Sequence, residues 1–163
     1  GAPTEKLSWL VGQVSLETSN FTSPLMFADN NYSGIKYYGQ SGASRGMQAP
    51  ASEGDFYAHY PNVNSWAKDY LRILNTVGTA KPLQADTVEN FVLALKQNGY
   101  FGGSLSNYTS IVKTNSKWYD KALNLAQMAI DVVKKNPLGT FIGLGIGFFL
   151  LTKFLKKIGR AHV

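Results

Sequence analysis

Glu17 ends a stretch in which Leu7, Leu10, Val11, Val14 and Leu16 are apolar, and Thr18, Ser19 and Asn20 follow it. A carboxylate at the C-terminal edge of a half-buried helix meets desolvation and the negative pole of the helix dipole. Both raise its pKa. A raised carboxyl is what a general acid needs near neutral pH. Taken alone, a helix-end glutamate is more often a solvated surface residue, so the chemistry has to be carried by what surrounds it. Other chemistries are poorly provided for. The chain has no cysteine, and His59 and His162 stand far apart. Thiol nucleophiles, disulfide scaffolds and His- or Cys-based metal sites are therefore excluded, and no metal or cofactor is expected.

The elements that would position Glu17 follow from apolar spacing. The recurrence of Leu7, Leu10, Val11 and Val14 predicts a helix over residues 4–18. Residues 20–62 are rich in Asn, Ser, Gly, Tyr and Pro and read as a loop-rich stretch with a short hairpin around 44–58. Helices are expected at 64–77, capped by Asn64 or Ser65, at 86–98, capped by Asp86 or Thr87, and at 105–114. Residues 116–135 form a further amphipathic helix, with Trp118, Ala122, Leu125, Ala129 and Val132 or Val133 on one stripe. The fold class is thus mainly α with a small loop and hairpin lobe. Trp66, with Tyr70, Leu71 and Leu74 at helical spacing, reads as core.

The net charge of +6 on 163 residues is unevenly divided. Residues 1–136 carry 12 basic and 10 acidic side chains, whereas Lys153, Lys156, Lys157 and Arg160 follow with no acid. An ectodomain this balanced lacks the basic surplus that neutralising phosphates requires, so nucleic acid is not an expected partner. The tail also holds the longest apolar run, the 16 uncharged residues from Pro137 to Thr152, extended to Leu155 if Lys153 snorkels. A helix of about 19 residues spans roughly 28 Å, close to the ~30 Å hydrocarbon core of a bilayer. The expected organisation is a catalytic domain at 1–115, a connecting helix at 116–136, a transmembrane helix at 137–157 and a basic tail at 158–163. The expected location is a membrane, with a single C-terminal span. Gly139, Gly143 and Gly147 repeat every four residues, the small-residue spacing through which two such helices associate as a homo-oligomer.

Four segments in order, QVSLETSNF at 13–21, NNYSGIKYYGQ at 30–40, FYAHYPNVNSWAKDYLRIL at 56–74 and ALKQNGYFGGSLSNYTSIV at 94–112, resemble the bacterial glucosaminidase family, glycoside hydrolase family 73. The likeness covers about residues 7–114. It implies a lysozyme-like helical fold and cleavage of the bond between N-acetylglucosamine and N-acetylmuramic acid in peptidoglycan. In the family's Gln-x-x-Leu-Glu-Ser motif the glutamate is the proton donor. Gln13, Leu16 and Glu17 match it, with Thr18 in place of Ser.

The family's Asn-Asn-x-Phe-Gly-Ile-Lys loop, matched by Asn30, Asn31, Gly34, Ile35 and Lys36 with Ser33 at the Phe position, implies a cleft floor beneath the sugar. The resemblance further implies a second carboxylate on a hairpin. Glu53, 36 residues after Glu17, is the first candidate and Asp55 the second, although only two residues separate Glu53 from Phe56. Failing both, the substrate's acetamido group or a positioned water would serve. Tyr108 resembles the family's active-site tyrosine and Tyr100 its Gly-Tyr position. Tyr37, Tyr38, Phe56 and Tyr57 are aromatic surfaces on which sugars stack.

The partners implied are a peptidoglycan glycan strand and a lipid bilayer, in a bacterial envelope or in the internal membrane of a membrane-containing bacteriophage. The competing expectation is a catalytically inactive wall-binding or structural membrane protein with the same fold.

Overall fold

The computed structural model describes residues 6–135. The expected transmembrane segment at 137–157, the basic tail, and the glycines at 139, 143 and 147 lie outside the described residues. So does the start of the first expected helix. Among the described residues no helix is long and apolar enough to cross a membrane.

The described chain is mainly helical, with one small sheet. Helix α1 (Leu7–Glu17) is followed by α2 (Pro24–Asp29), an antiparallel pair β1 (Ser44–Gln48) and β2 (Phe56–His59), then α3 (Val63–Thr76), α4 (Val88–Gln97) and α5 (Leu105–Lys135). A 3-10 turn at Pro82–Gln84 links α3 to α4. Two compact units divide the chain at 116/117. The first holds everything up to the middle of α5. The described part of the second is the remainder of that helix, on which Leu123, Leu125, Met128 and Ile130 are exposed.

In the first unit, Leu10 and Val14 of α1 meet Trp66, Tyr70 and Leu74 of α3, Phe91, Val92 and Leu95 of α4, and Val112 of α5 in one core. Trp66, Tyr70 and Leu74 recur every four residues and so share a helix face. Trp66 stacks on Tyr70 at 5.2 Å and donates its indole N–H to Ser33 Oγ at 3.0 Å, giving it the core role expected of it. Full burial of side chains such as Phe91 and Leu95 contributes about 1.5–3 kcal/mol each.

Helix starts follow capping chemistry. Asn62, two residues ahead of the earlier of the two expected caps, accepts the Ser65 N–H at 3.0 Å and starts α3. Thr87 caps α4 through Asn90 N–H at 3.1 Å. Two departures from expectation have local causes. Helix α2 arises within the loop-rich stretch because Pro24 stands at its first turn and Met26 finds a buried site, and it stops where Asn30 turns left-handed. The expected helices 105–114 and 116–135 are one. Asn115 and Ser116 are buried inside α5, with the Ser116 hydroxyl bonded back to Val112 O at 2.7 Å, so no cap forms there.

Candidate active site

Glu17 is the last residue of α1, and Tyr108 is the fourth residue of α5, at the end of its first turn. The two helices approach closely because Gly12 carries no side chain: a Cβ there would lie 2.5 Å from Ser116 Oγ and 2.9 Å from Val112 O. Asn115 bridges the same crossing, donating to Gly12 O and Ser15 Oγ at 3.4 Å each. Farther along, the Tyr108 hydroxyl donates to Glu17 Oε1 at 2.5 Å. Burial holds the Glu17 carboxyl above its ordinary value of 4.5, and the Tyr108 bond partly opposes it. Burial and the neighbouring Glu17 charge push the Tyr108 phenol upward, so it stays protonated as a donor.

Tyr108 is itself held. Phe101 stacks on it with centroids 3.8 Å apart and planes 7° from parallel. Lys96 donates to Gly102 O and Gly103 O at 2.8 Å each and lies 5.1 Å from the Phe101 ring, clamping the loop that carries this aromatic pair.

The chain leaves Glu17 through an unusual turn. Ser19, Asn20 and Phe21 all have positive φ, at 49°, 59° and 62°. Non-glycine residues rarely adopt this conformation, and it is costly. Side-chain bonds hold it: Thr18 Oγ1 donates to Val14 O at 2.7 Å and accepts Phe21 N–H at 3.0 Å, and Ser15 Oγ donates to Asn20 Oδ1 at 2.8 Å. Backbone strain thus sits directly beside the half-buried carboxylate.

Across from Glu17 the β1–β2 hairpin presents Glu53 on its connecting turn. Glu53 pairs with Lys36, whose ammonium lies 3.9 Å from the Tyr57 ring, and accepts from the Tyr57 hydroxyl at 3.3 Å. The Lys36 bond, and secondarily its charge and Tyr57, hold the Glu53 carboxyl below its ordinary value. Residues 36 and 57 also form an isolated bridge, adding a third short edge to the hairpin.

The register of the hairpin slips by one residue between Arg45 and Gln48 because the Met47 N–H leaves the ladder for Asp29 Oδ2 at 2.8 Å. Asp29 Oδ1 faces His59 Nδ1 at 3.1 Å. Gly46 leaves room for this carboxylate, since a Cβ there would meet it at 2.6 Å.

One open cleft of about 870 Å³ is bounded by Glu17, by Ser33–Lys36, by Met47, Gln48, Pro50, Glu53 and Tyr57 of the hairpin, by Tyr38 and Tyr100, and by Ile73 and Val77 from the end of α3. Of the residues singled out in the sequence, Glu17, Glu53, Gly34, Lys36 and Tyr100 line this cleft. Tyr108 reaches it through Glu17. Tyr38 and Tyr57 offer aromatic surface.

Two expected sugar-binding residues are corrected. Asn31 is 1% exposed and lies beneath the cleft: its Nδ2 donates to Ile35 O at 2.8 Å and Ala58 O at 2.9 Å, and its Oδ1 accepts Ile35 N–H at 3.0 Å. It ties the 31–35 loop to β2 and has no capacity left for a ligand. Tyr37 packs on the core while the next residue, Tyr38, turns to the cleft. Asp55 is exposed and outside the cleft lining. Ile73 and Val77 carried no sequence signal as site residues, because their apolar spacing is that of any helix end.

Comparison with known protein families, with curated proteins and with solved structures finds no match for this chain.

Proposed function

We propose that this chain is a glycoside hydrolase with a lysozyme-like fold that cleaves the glycan strand of peptidoglycan at the bond between N-acetylglucosamine and N-acetylmuramic acid. The observation that carries this reading is a pair of carboxylates lining one cleft with environments that displace them in opposite directions, Glu17 upward by burial and Glu53 downward by Lys36. Two carboxyl groups split in this way are the acid and base assignments of a glycosidase. Protonated Glu17 delivers its proton to the leaving glycosidic oxygen as an oxocarbenium-like centre forms. Ionised Glu53 stabilises that centre or activates the attacking water, and Tyr38, Tyr57 and Tyr100 stack against sugar faces. Anchored by the apolar segment that begins at Pro137, the enzyme would open the wall locally, in a bacterial envelope or during entry of a membrane-containing bacteriophage.

A second reading is favoured by one observation: Glu53 is engaged by both Lys36 and Tyr57. A locked second carboxylate would suit an inactive protein that binds the glycan strand without cutting it.

Incubation of the full-length protein with purified peptidoglycan, followed by mass spectrometry of the soluble products, separates the two. The hydrolase releases fragments with reducing N-acetylglucosamine ends, and Glu17→Gln lowers that release by about 10²–10⁴-fold with an unchanged circular dichroism spectrum. Tight binding of peptidoglycan with no released fragments would establish the second reading instead.

A further inference from the structure

Gln13 stands one helical turn before Glu17 and is fully buried. Its Oε1 accepts the hydroxyl of Tyr70, which lies on α3. That bond determines which way the amide faces, because a hydroxyl donating to Gln13 needs the carbonyl end. The Nε2 end is left for the neighbouring Tyr100 and Tyr108 phenols, which hydrogen bonding from Gln13 lowers against the larger upward push of burial. It is the one buried side-chain nitrogen or oxygen among the described residues that completes no hydrogen bond. A buried amide without a partner is destabilising, because it has given up its hydrogen bonds to water without replacement. Such a cost beside a reacting group points to a role there.

We propose that Gln13 is a positioning residue for Glu17. Held by Tyr70, it offers its N–H to the Tyr108 oxygen, so that the Tyr108 proton has Glu17 Oε1 as its acceptor. The labile proton of Glu17 is thereby assigned to Oε2, the oxygen that Tyr108 does not occupy. This deepens the glycosidase reading and rests on it, since it specifies which oxygen of the general acid delivers the proton. Hydrogen bonds in series polarise one another. Donation from Gln13 strengthens the Tyr108 bond to the ionised carboxylate and opposes the upward pull of burial. The groups facing Glu17 are Tyr108 from α5, Tyr100 from the loop before it and Tyr70 from α3, each protonated in the range where Glu17 titrates.

The test is a ¹³C NMR titration of the full-length protein labelled at the glutamate side-chain carboxyl, with Glu17 assigned by the signal lost in Glu17→Gln. Gln13→Leu shifts the Glu17 midpoint upward and leaves Glu53 in place. Tyr108→Phe shifts it upward at least as far. The double variant matches Tyr108→Phe alone, because Gln13 acts through that hydroxyl. An unmoved Glu17 midpoint in Gln13→Leu, or shifts that add in the double variant, overturns the proposal.

Where Gln13→Leu fails to fold, Tyr70→Phe replaces it. By releasing the amide it produces a smaller upward shift, and no shift there is equally fatal. The titration requires no turnover. A protein that shows the shifts and cuts no peptidoglycan leaves the positioning role standing and removes the glycosidase reading. A protein that cuts peptidoglycan without the shifts does the reverse.

Discussion

The Tyr108 hydroxyl donates to Glu17 Oε1 at 2.5 Å across 91 residues of sequence. One partner closes α1 and the other lies near the start of α5, so the bond exists only while the crossing at Gly12 and Ser116 is intact. Burial raises the Glu17 carboxyl and this bond lowers it. Activity that needs protonated Glu17 is lost as pH rises through the raised value. The alkaline limb of kcat/KM therefore lies above 4.5, and Tyr108→Phe moves it higher while lowering the maximum. A limb that stays put in Tyr108→Phe would separate the tyrosine from the proton chemistry.

Glu17 also burdens the fold. Its carboxyl is raised in the folded protein, so the favourable protonated state is complete below 4.5 and is lost as pH climbs through the folded-state value. Glu17→Gln has no such titration. Its melting temperature is expected to exceed that of the parent at pH 7, with the gap narrowing toward pH 4, as followed by thermal denaturation. A gap independent of pH would contradict burial as the cause.

Lys36, paired directly with Glu53 beside the hairpin, holds its carboxyl below the ordinary value. Lys36→Met removes the ammonium and lets the Glu53 carboxyl rise toward its ordinary value. The acid limb of the pH–rate profile then moves upward, with the alkaline limb unchanged. Glu53→Gln removes the acid limb altogether if Glu53 is the base. Persistence of the limb in Glu53→Gln would transfer that role to the substrate's acetamido group.

Ser19 is exposed with φ of 49°, and it is bonded through its carbonyl oxygen to Thr22 rather than through its side chain. Glycine at this position avoids the left-handed penalty at some cost in unfolded-chain entropy, for a net gain of about 0.5–1 kcal/mol in chemical denaturation. Asn20→Gly at the next position forfeits the bond from Ser15 Oγ and gains less.

A methyl group at Gly12 or Gly46 has no room. Gly12→Ala pushes α1 from α5, and Gly46→Ala displaces the Asp29 carboxylate that draws Met47 out of the ladder. Overpacking of this kind costs about 1–3 kcal/mol. Activity falls more in Gly12→Ala, which loosens the Tyr108 contact, than stability alone explains. Denaturation midpoints and kcat measured on the same preparations compare the two effects.

Much of the helical frame was legible in the residues themselves. Apolar recurrence at Leu7, Leu10, Val11 and Val14 and at Trp66, Tyr70 and Leu74 marks two of the helices, because a helix must turn one stripe to the core. Asp86 and Thr87 mark the start of α4 because either side chain can accept an orphan N–H, and the structure gives the role to Thr87. The hairpin near 44–58 was visible from its turn residues. Helix α2 was not, since six residues leave too short a period to read. The unbroken α5 was not either, because the burial of Asn115 and Ser116, which keeps the helix running, depends on α1 lying against them.

The site divides along the same line. Sequence alone determined that Glu17 stands at a helix end beside a polar turn, that Glu53 falls within a hairpin stretch, and that no thiol is available for chemistry. These follow from residue types and local spacing. Only the tertiary structure decided that Asn31 is a brace beneath the cleft, that Tyr38 rather than Tyr37 faces it, and that Tyr70 holds the buried Gln13 amide. The reason is physical: each of these roles is set by which polar atoms find partners from distant segments, and a one-dimensional pattern carries no record of who meets whom in the core.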